Sequence, residues 1–222
     1  MGRRPASEQG DTLAEIRDAA FALFGRYGYD GVSMLNVARA AGVTKAALYW
    51  HYDGKPALYA DCMRQLTALF REHVFSHLLA ERDPLARLLA VFTGMGTLLE
   101  DGRVREGVAG YWLQPATADV PEARAVQLEF EESSAALIAR SLSQAGEAGQ
   151  LDLRLPVQDM ADAFIATMEA IILPLRRNTP ERSRRLIQVL AHTFFRAHAD
   201  GSQLAEIATE AAVAGLPDPA SA

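Results

Sequence analysis

Lys45 and Lys55 are the only lysines among 222 residues; every other side-chain cation outside histidine is an arginine. Between them runs Tyr49-Trp50-His51-Tyr52, aromatic where a short helix would alternate apolar and polar residues. The chemistry such a stretch can do is recognition rather than catalysis. An ammonium at Lys45 can donate to guanine O6 and N7, and the small side chains of Ala46 and Ala47 can pack on thymine methyls. Lys55 opens a helix whose free N–H groups and dipole already favour a phosphate, and Ser33 stands at another helix start. Taken singly, the lysines read equally as solvated surface charges, and Trp50 as a packed aromatic.

The elements around these residues decide between the readings. Ser33 caps a short helix with Met34, Val37 and Ala38 inward, and Gly42 stops it. Thr44 caps the next, with Val43 and Leu48 as its core contacts. Two short helices joined by a glycine-containing turn, the second small and polar at its start, form a helix-turn-helix, a DNA-reading unit. Upstream, Thr12 and Glu15 fit a capping box ahead of Ile16, Ala20, Leu23, Phe24 and Tyr27 at helical spacing. Gly28 and Asp30-Gly31 end that helix. The expected division is residues 1–55 as a three-helix DNA-binding domain with an N-terminal arm (Arg3, Arg4), residues 56–214 as a helical bundle, and 215–222 as a disordered tail.

Past Lys55 the pattern is helical throughout. A long helix turns Leu58, Cys62, Leu66, Leu69, Phe70 and Val74 inward and runs by pattern to His77. Asp83-Pro84 supplies a cap and first-turn proline for a helix through Leu99. A short helix spans Val104 to Leu113, stopped by Pro115, and Pro121 opens another to about Ala145. Apolar helices follow over Val157 to Leu173, ended by Pro174, and over Pro180 to Ala197. A last one covers Ser202 to Ala214. No repeat, heptad seam or strand-period segment interrupts this all-α reading.

Half of the residues are apolar and 23% charged, the composition of a soluble globular protein. No apolar run is long enough for a membrane span, and Met1-Gly2-Arg3-Arg4 leads into no apolar segment, so neither a span nor a signal peptide is expected. The single Cys62 excludes an internal disulfide and suits a cytoplasmic protein. The net charge of −6 disfavours a generic basic nucleic-acid binder. DNA affinity must come from a few placed cations, duplicated by a dimer.

With these residues in view, the chain resembles the TetR family of bacterial transcriptional regulators. Ala19-Ala20-Phe21-Ala22-Leu23-Phe24 with Gly28-Tyr29-Asp30, Val37 to Lys45, Leu48 to Tyr52, and Lys55 with Leu58 carry the resemblance over roughly Leu13 to Tyr59. It implies DNA contacts by Ser33, Thr44, Lys45, Ala46, Ala47, Tyr49, Trp50, His51 and Lys55, with Tyr49 and His51 on phosphates. It also implies a C-terminal domain for ligand binding and dimerisation, no cofactor and no enzymatic activity. Ala46 stands where the family often has glycine, and Gly54 and Pro56 where it has a polar cap and Glu. Leu35 and Asn36 replace a commonly charged pair, which can shift operator choice.

The family's cavity position, combined with apolar bulk and a polar handle, selects His73, His77, Tyr111, Trp112 and Gln127 as ligand-lining candidates. His73 and His77 have the i,i+4 spacing of a metal pair, but Val74-Phe75-Ser76 between them is no metal motif and no third ligand follows. Glu129, Glu131 and Glu132 against Arg176, Arg177, Arg182, Arg184 and Arg185 read either as interface partners or as solvated faces. No nucleophile elbow, P-loop or dinucleotide fingerprint appears, which leaves an enzyme without a catalytic set. The last two long helices are more apolar than one core needs. Phe164, Ile165, Met168, Ile172, Leu186, Leu190 and Phe194 are therefore expected at a two-fold dimer interface. The expected function is a homodimeric repressor of double-stranded operator DNA, released by a small, largely apolar effector through the long helix acting as a lever. The alternatives are a regulator without an inducer and an activator.

Overall fold

A computed structural model describes residues 6–113, 120–173, 179–196 and 198. Arg3, Arg4, Pro115, Pro174, Arg176, Arg177, Ala197, the expected 202–214 helix and the 215–222 tail lie outside the described residues. The chain is all-α, with no strand among the described residues. The helices are α1 (Ala6–Tyr27), α2 (Met34–Ala40), α3 (Lys45–His51) and α4 (Lys55–Phe70), then a π-helical turn (Arg71–Phe75). They continue as α5 (Ser76–Ala80), α6 (Pro84–Glu100), α7 (Gly102–Arg105), a 3-10 turn (Ala109–Trp112), α8 (Pro121–Glu147), α9 (Val157–Ile172) and α10 (Pro180–Arg196).

The chain divides into two compact units, Met1–Ala68 with Asp101–Phe130, and Leu69–Glu100 with Glu131–Ala222. Of the three boundaries, two fall inside helices, α4 and α8, and one between α6 and α7. The first unit thus includes a segment, residues 101–113, distant in sequence from the helix-turn-helix. It is held by glycines. A Cβ on Gly110 would strike the Phe24 carbonyl and sit 2.7 Å from the Gly28 nitrogen, and one on Gly25 would strike the Gly107 carbonyl. Only hydrogen at these positions lets α1 and the 3-10 turn meet backbone to backbone. Tyr111 completes the contact, donating from its hydroxyl to the Phe21 carbonyl at 3.1 Å.

In the second unit α6 packs on the π turn, α5 and α10, and α9 packs on α10. Asp83 caps α6, accepting from the Ala86 N–H at 2.8 Å. Gly94 of α6 lies against the π turn, where a Cβ would come 2.6 Å from the His73 carbonyl. Thr97 Oγ1 donates to that carbonyl at 3.2 Å. Phe92, Phe164 and Phe195 form an edge-on aromatic core, with Phe92 5.3 Å from Phe164 and 5.9 Å from Phe195 between centroids.

Four local expectations differ from the structure. Helix α1 begins at Ala6, so Thr12 is buried inside it rather than capping it; after Pro5 nothing stronger than Gly10 opposes an earlier start. Tyr27 faces solvent at the helix end. The helix expected over Val104 to Leu113 is broken into α7 and the 3-10 turn by Gly107, whose φ of 114° no α-helix accommodates. The long helix does run from Lys55 to Ala80, but a π turn interrupts its α geometry at Arg71–Phe75.

Candidate nucleic-acid interface

Helix α2 opens on a reciprocal box: Asn36 N–H donates to Ser33 Oγ at 3.1 Å and Ser33 N–H to Asn36 Oδ1 at 3.0 Å. It closes on a Schellman motif, with Val43 N–H on the Ala38 carbonyl (2.9 Å) and Gly42 N–H on the Arg39 carbonyl (3.2 Å). Gly42 takes φ 66° there, the left-handed geometry that turns the chain into α3. Thr44 caps α3, its Oγ1 accepting from Ala47 N–H at 3.1 Å. These bonds fix the turn without any partner molecule.

Helix α3 buries only Leu48. Lys45 and Ala46 are exposed and Ala47 half-buried in its first turn, where a recognition helix meets base edges. Trp50 is 71% exposed and Tyr49 48%. Trp50 stands edge-on to the half-buried His51, centroids 4.6 Å apart. Lys45 Nζ lies 5.5 Å from the centre of the Tyr49 ring, within cation–π range. Ser33 and Thr44 are exposed at their caps. Lys55, at the first position of α4, is half-buried with Nζ 4.0 Å over the Tyr29 ring. Burial pushes its pKa down, and the Asp30 carboxylate opposes that.

Sequence reasoning missed what holds the far end of α3. The Tyr52 hydroxyl donates to Asp61 Oδ2 at 2.7 Å. Arg17 Nη2 of α1 donates to Oδ1 of the same carboxylate at 3.2 Å; its Nε lies 2.9 Å from Oδ2, too bent for a hydrogen bond. The available signal was an acid, Asp61, beside the buried stripe of Leu58, Cys62 and Leu66.

The ligand-lining candidates do not share one compact unit: His73 and His77 belong to the second, Tyr111, Trp112 and Gln127 to the first. His77 is exposed and His73 half-buried. Tyr111 is buried against Phe21 and Tyr59, with its hydroxyl committed to Phe21. Burial raises its pKa, as it raises that of Tyr59, which is pushed up to about 12. Trp112 and Gln127 are half-buried. No group of three or more metal-ligating side chains occurs among the described residues. No described helix is long and apolar enough to cross a membrane.

Of the candidate interface residues, Phe164, Met168 and Ile172 are already buried within the chain. Ile165, Leu186, Leu190 and Phe194 keep accessible surface, and Leu173 and Val189, at 56% and 59%, are more exposed still. Glu129, Glu131, Glu132, Arg182, Arg184 and Arg185 are all exposed. Arg184 Nε reaches the Glu100 carboxylate at only 4.0 Å.

This geometry defines a helix-turn-helix protein with a second helical unit. Residues 16–62 match the sequence model of bacterial regulatory proteins of the tetR family. The chain is 30% identical over 178 residues to the probable HTH-type transcriptional regulator ArpR of Pseudomonas putida, covering 78% of this chain and 83% of that one. The probable acrEF/envCD operon repressor of Escherichia coli strain K12 is 34% identical over 90 residues, 40% of each chain. The match with this repressor thus spans well under half of its length. The crystal structure of AibR in complex with isovaleryl coenzyme A and operator DNA has a TM-score of 0.68 at 24% identity, over 83% of this chain and 98% of that one. At that identity the likeness shows the fold. The chain belongs to the tetR family of bacterial regulatory proteins.

Proposed function

We propose that this protein is a homodimeric transcriptional repressor, active in the cytoplasm, that leaves a palindromic operator when a small, largely apolar ligand binds its second unit. The observation that carries the reading is α3. A helix capped at its start, with Leu48 its only buried side chain, exposes a lysine, a tyrosine and a tryptophan that the chain's own core does not use. Ser33, Thr44, Lys45, Ala46, Ala47, Tyr49, Trp50, His51 and Lys55 are the proposed DNA contacts, the first turn of α3 on bases and the remainder on phosphates. Residues 1–55 are the proposed DNA-binding domain.

His73 begins the proposed ligand site because the π turn around it is an irregularity of the kind that recurs at functional sites. A ligand shifts DNA binding only by preferring one state, and hundredfold release requires about 2.7 kcal/mol of preference. The dimer is proposed to form through Ile165, Leu173, Leu186, Val189, Leu190 and Phe194, the surface that α9 and α10 leave accessible. Repression is favoured by the repressor among the relatives.

The test is selection from random duplexes followed by effector titration. The expected outcome is a palindrome with half-sites about one helical turn apart, and apolar compounds that both raise the melting temperature and release the operator. Failure to enrich any sequence would overturn the reading.

A further inference from the structure

Helix α3 spans only Lys45–His51 and buries a single side chain, Leu48. A two-turn helix held at one apolar point can rock about it. The Thr44 cap restrains the start. At the other end Tyr52, the C-cap, reaches α4 through the 2.7 Å bond from its hydroxyl to Asp61. From α1, Arg17 holds the same Asp61 carboxylate, whose side chain is only 16% exposed. One carboxylate therefore joins three helices of the first unit.

We infer that Asp61 and Tyr52 are positioning residues that set the tilt of α3, and through it the aim of Lys45 and Tyr49, without touching DNA themselves. The inference rests on the DNA-binding reading above. The bond has a charged acceptor in a partly dry site, which makes it stronger than an ordinary hydroxyl contact. Burial and the Asp61 carboxylate push the Tyr52 pKa well above its ordinary value, so the hydroxyl remains a donor at working pH. Lys55 lies on α4, not α3. Loss of the bond should therefore impair base readout most and spare the phosphate contact proposed for Lys55.

The consequence is a separation that a purely structural role does not produce. Tyr52→Phe in the full-length protein keeps the ring and removes only the donor. Operator affinity should fall about tenfold, the size expected for losing one good base contact, and affinity for random duplex should fall clearly less; the melting temperature should drop as well, because the lost bond also holds the fold. The 15N-labelled indole N–H of Trp50, assigned with Trp112→Phe, should shift in the free protein. Asp61→Asn should move the same resonance. Wild-type operator affinity in Tyr52→Phe with an unmoved indole signal overturns the inference. So does an equal fall in cognate and random binding. If the wild-type protein selects no operator, the DNA reading fails separately. The indole resonance in both variants then decides whether Asp61 and Tyr52 set the tilt of α3: displacement supports it, and an unmoved signal in both overturns it.

Discussion

Helices α3 and α9 both carry large apolar side chains beyond what their length requires, and the chain disposes of them in opposite ways. On α3, Trp50 is left 71% exposed. On α9, Phe164 is fully buried, enclosed by Phe92 and Phe194 with centroids 5.3 and 4.9 Å away. In the proposed reading the exposed aromatic is left for DNA, whereas the buried one is already spent. The difference separates the proposed recognition surface from a core, and it moves the proposed dimer surface outward to residues such as Val189.

The comparison can be broken most sharply at Phe164. Its replacement by Ala should cost about 3–5 kcal/mol of stability, measured by urea unfolding; a loss below about 1 kcal/mol would mean the α9 core is looser than its ring contacts indicate. Gly94→Val comes next, because the added side chain must displace the π turn at the His73 carbonyl. About 1–3 kcal/mol of destabilisation is expected, against no loss if the turn gives way freely. Val189→Arg should leave the fold of each chain intact and shift sedimentation from dimer to monomer at micromolar concentration. A dimer that persists would place the interface elsewhere. The smallest effect belongs to Trp50→Ala: stability should change by no more than about 0.5 kcal/mol, as for other surface positions, while operator binding weakens. A large loss of stability would show that Trp50 is core after all.

What could be read in the sequence was what local chemistry determines. Ser33 with Asn36, Gly42 and Thr44 act within four residues of themselves, and their caps and turn form as their types dictate. Asp83-Pro84 opens α6 for the same reason. The stripe of Leu58, Cys62 and Leu66 is periodic and buried. Two of the missed features depend on residues far apart in the chain. Arg17 meets Asp61 across 44 positions, and Gly25 meets Gly107 only after the chain has returned. Gly107 looked like one more helix residue until its φ broke the segment. Phe164 shows the other limit: an apolar face reads the same whether it meets its own chain or a second copy. For the DNA contacts, spacing and residue type pointed to α3, and the family resemblance supplied the roles of Tyr49 and His51.

The central claim is that the first turn of α3 reads bases. It is tested most directly by measuring wild type and Lys45→Ala on a selected operator and on its single-base-pair variants at one salt concentration. Lys45→Ala should lose about 1–3 kcal/mol of operator affinity and should no longer discriminate at one base pair in each half-site. Equal affinity with an unchanged base preference at every position would contradict it.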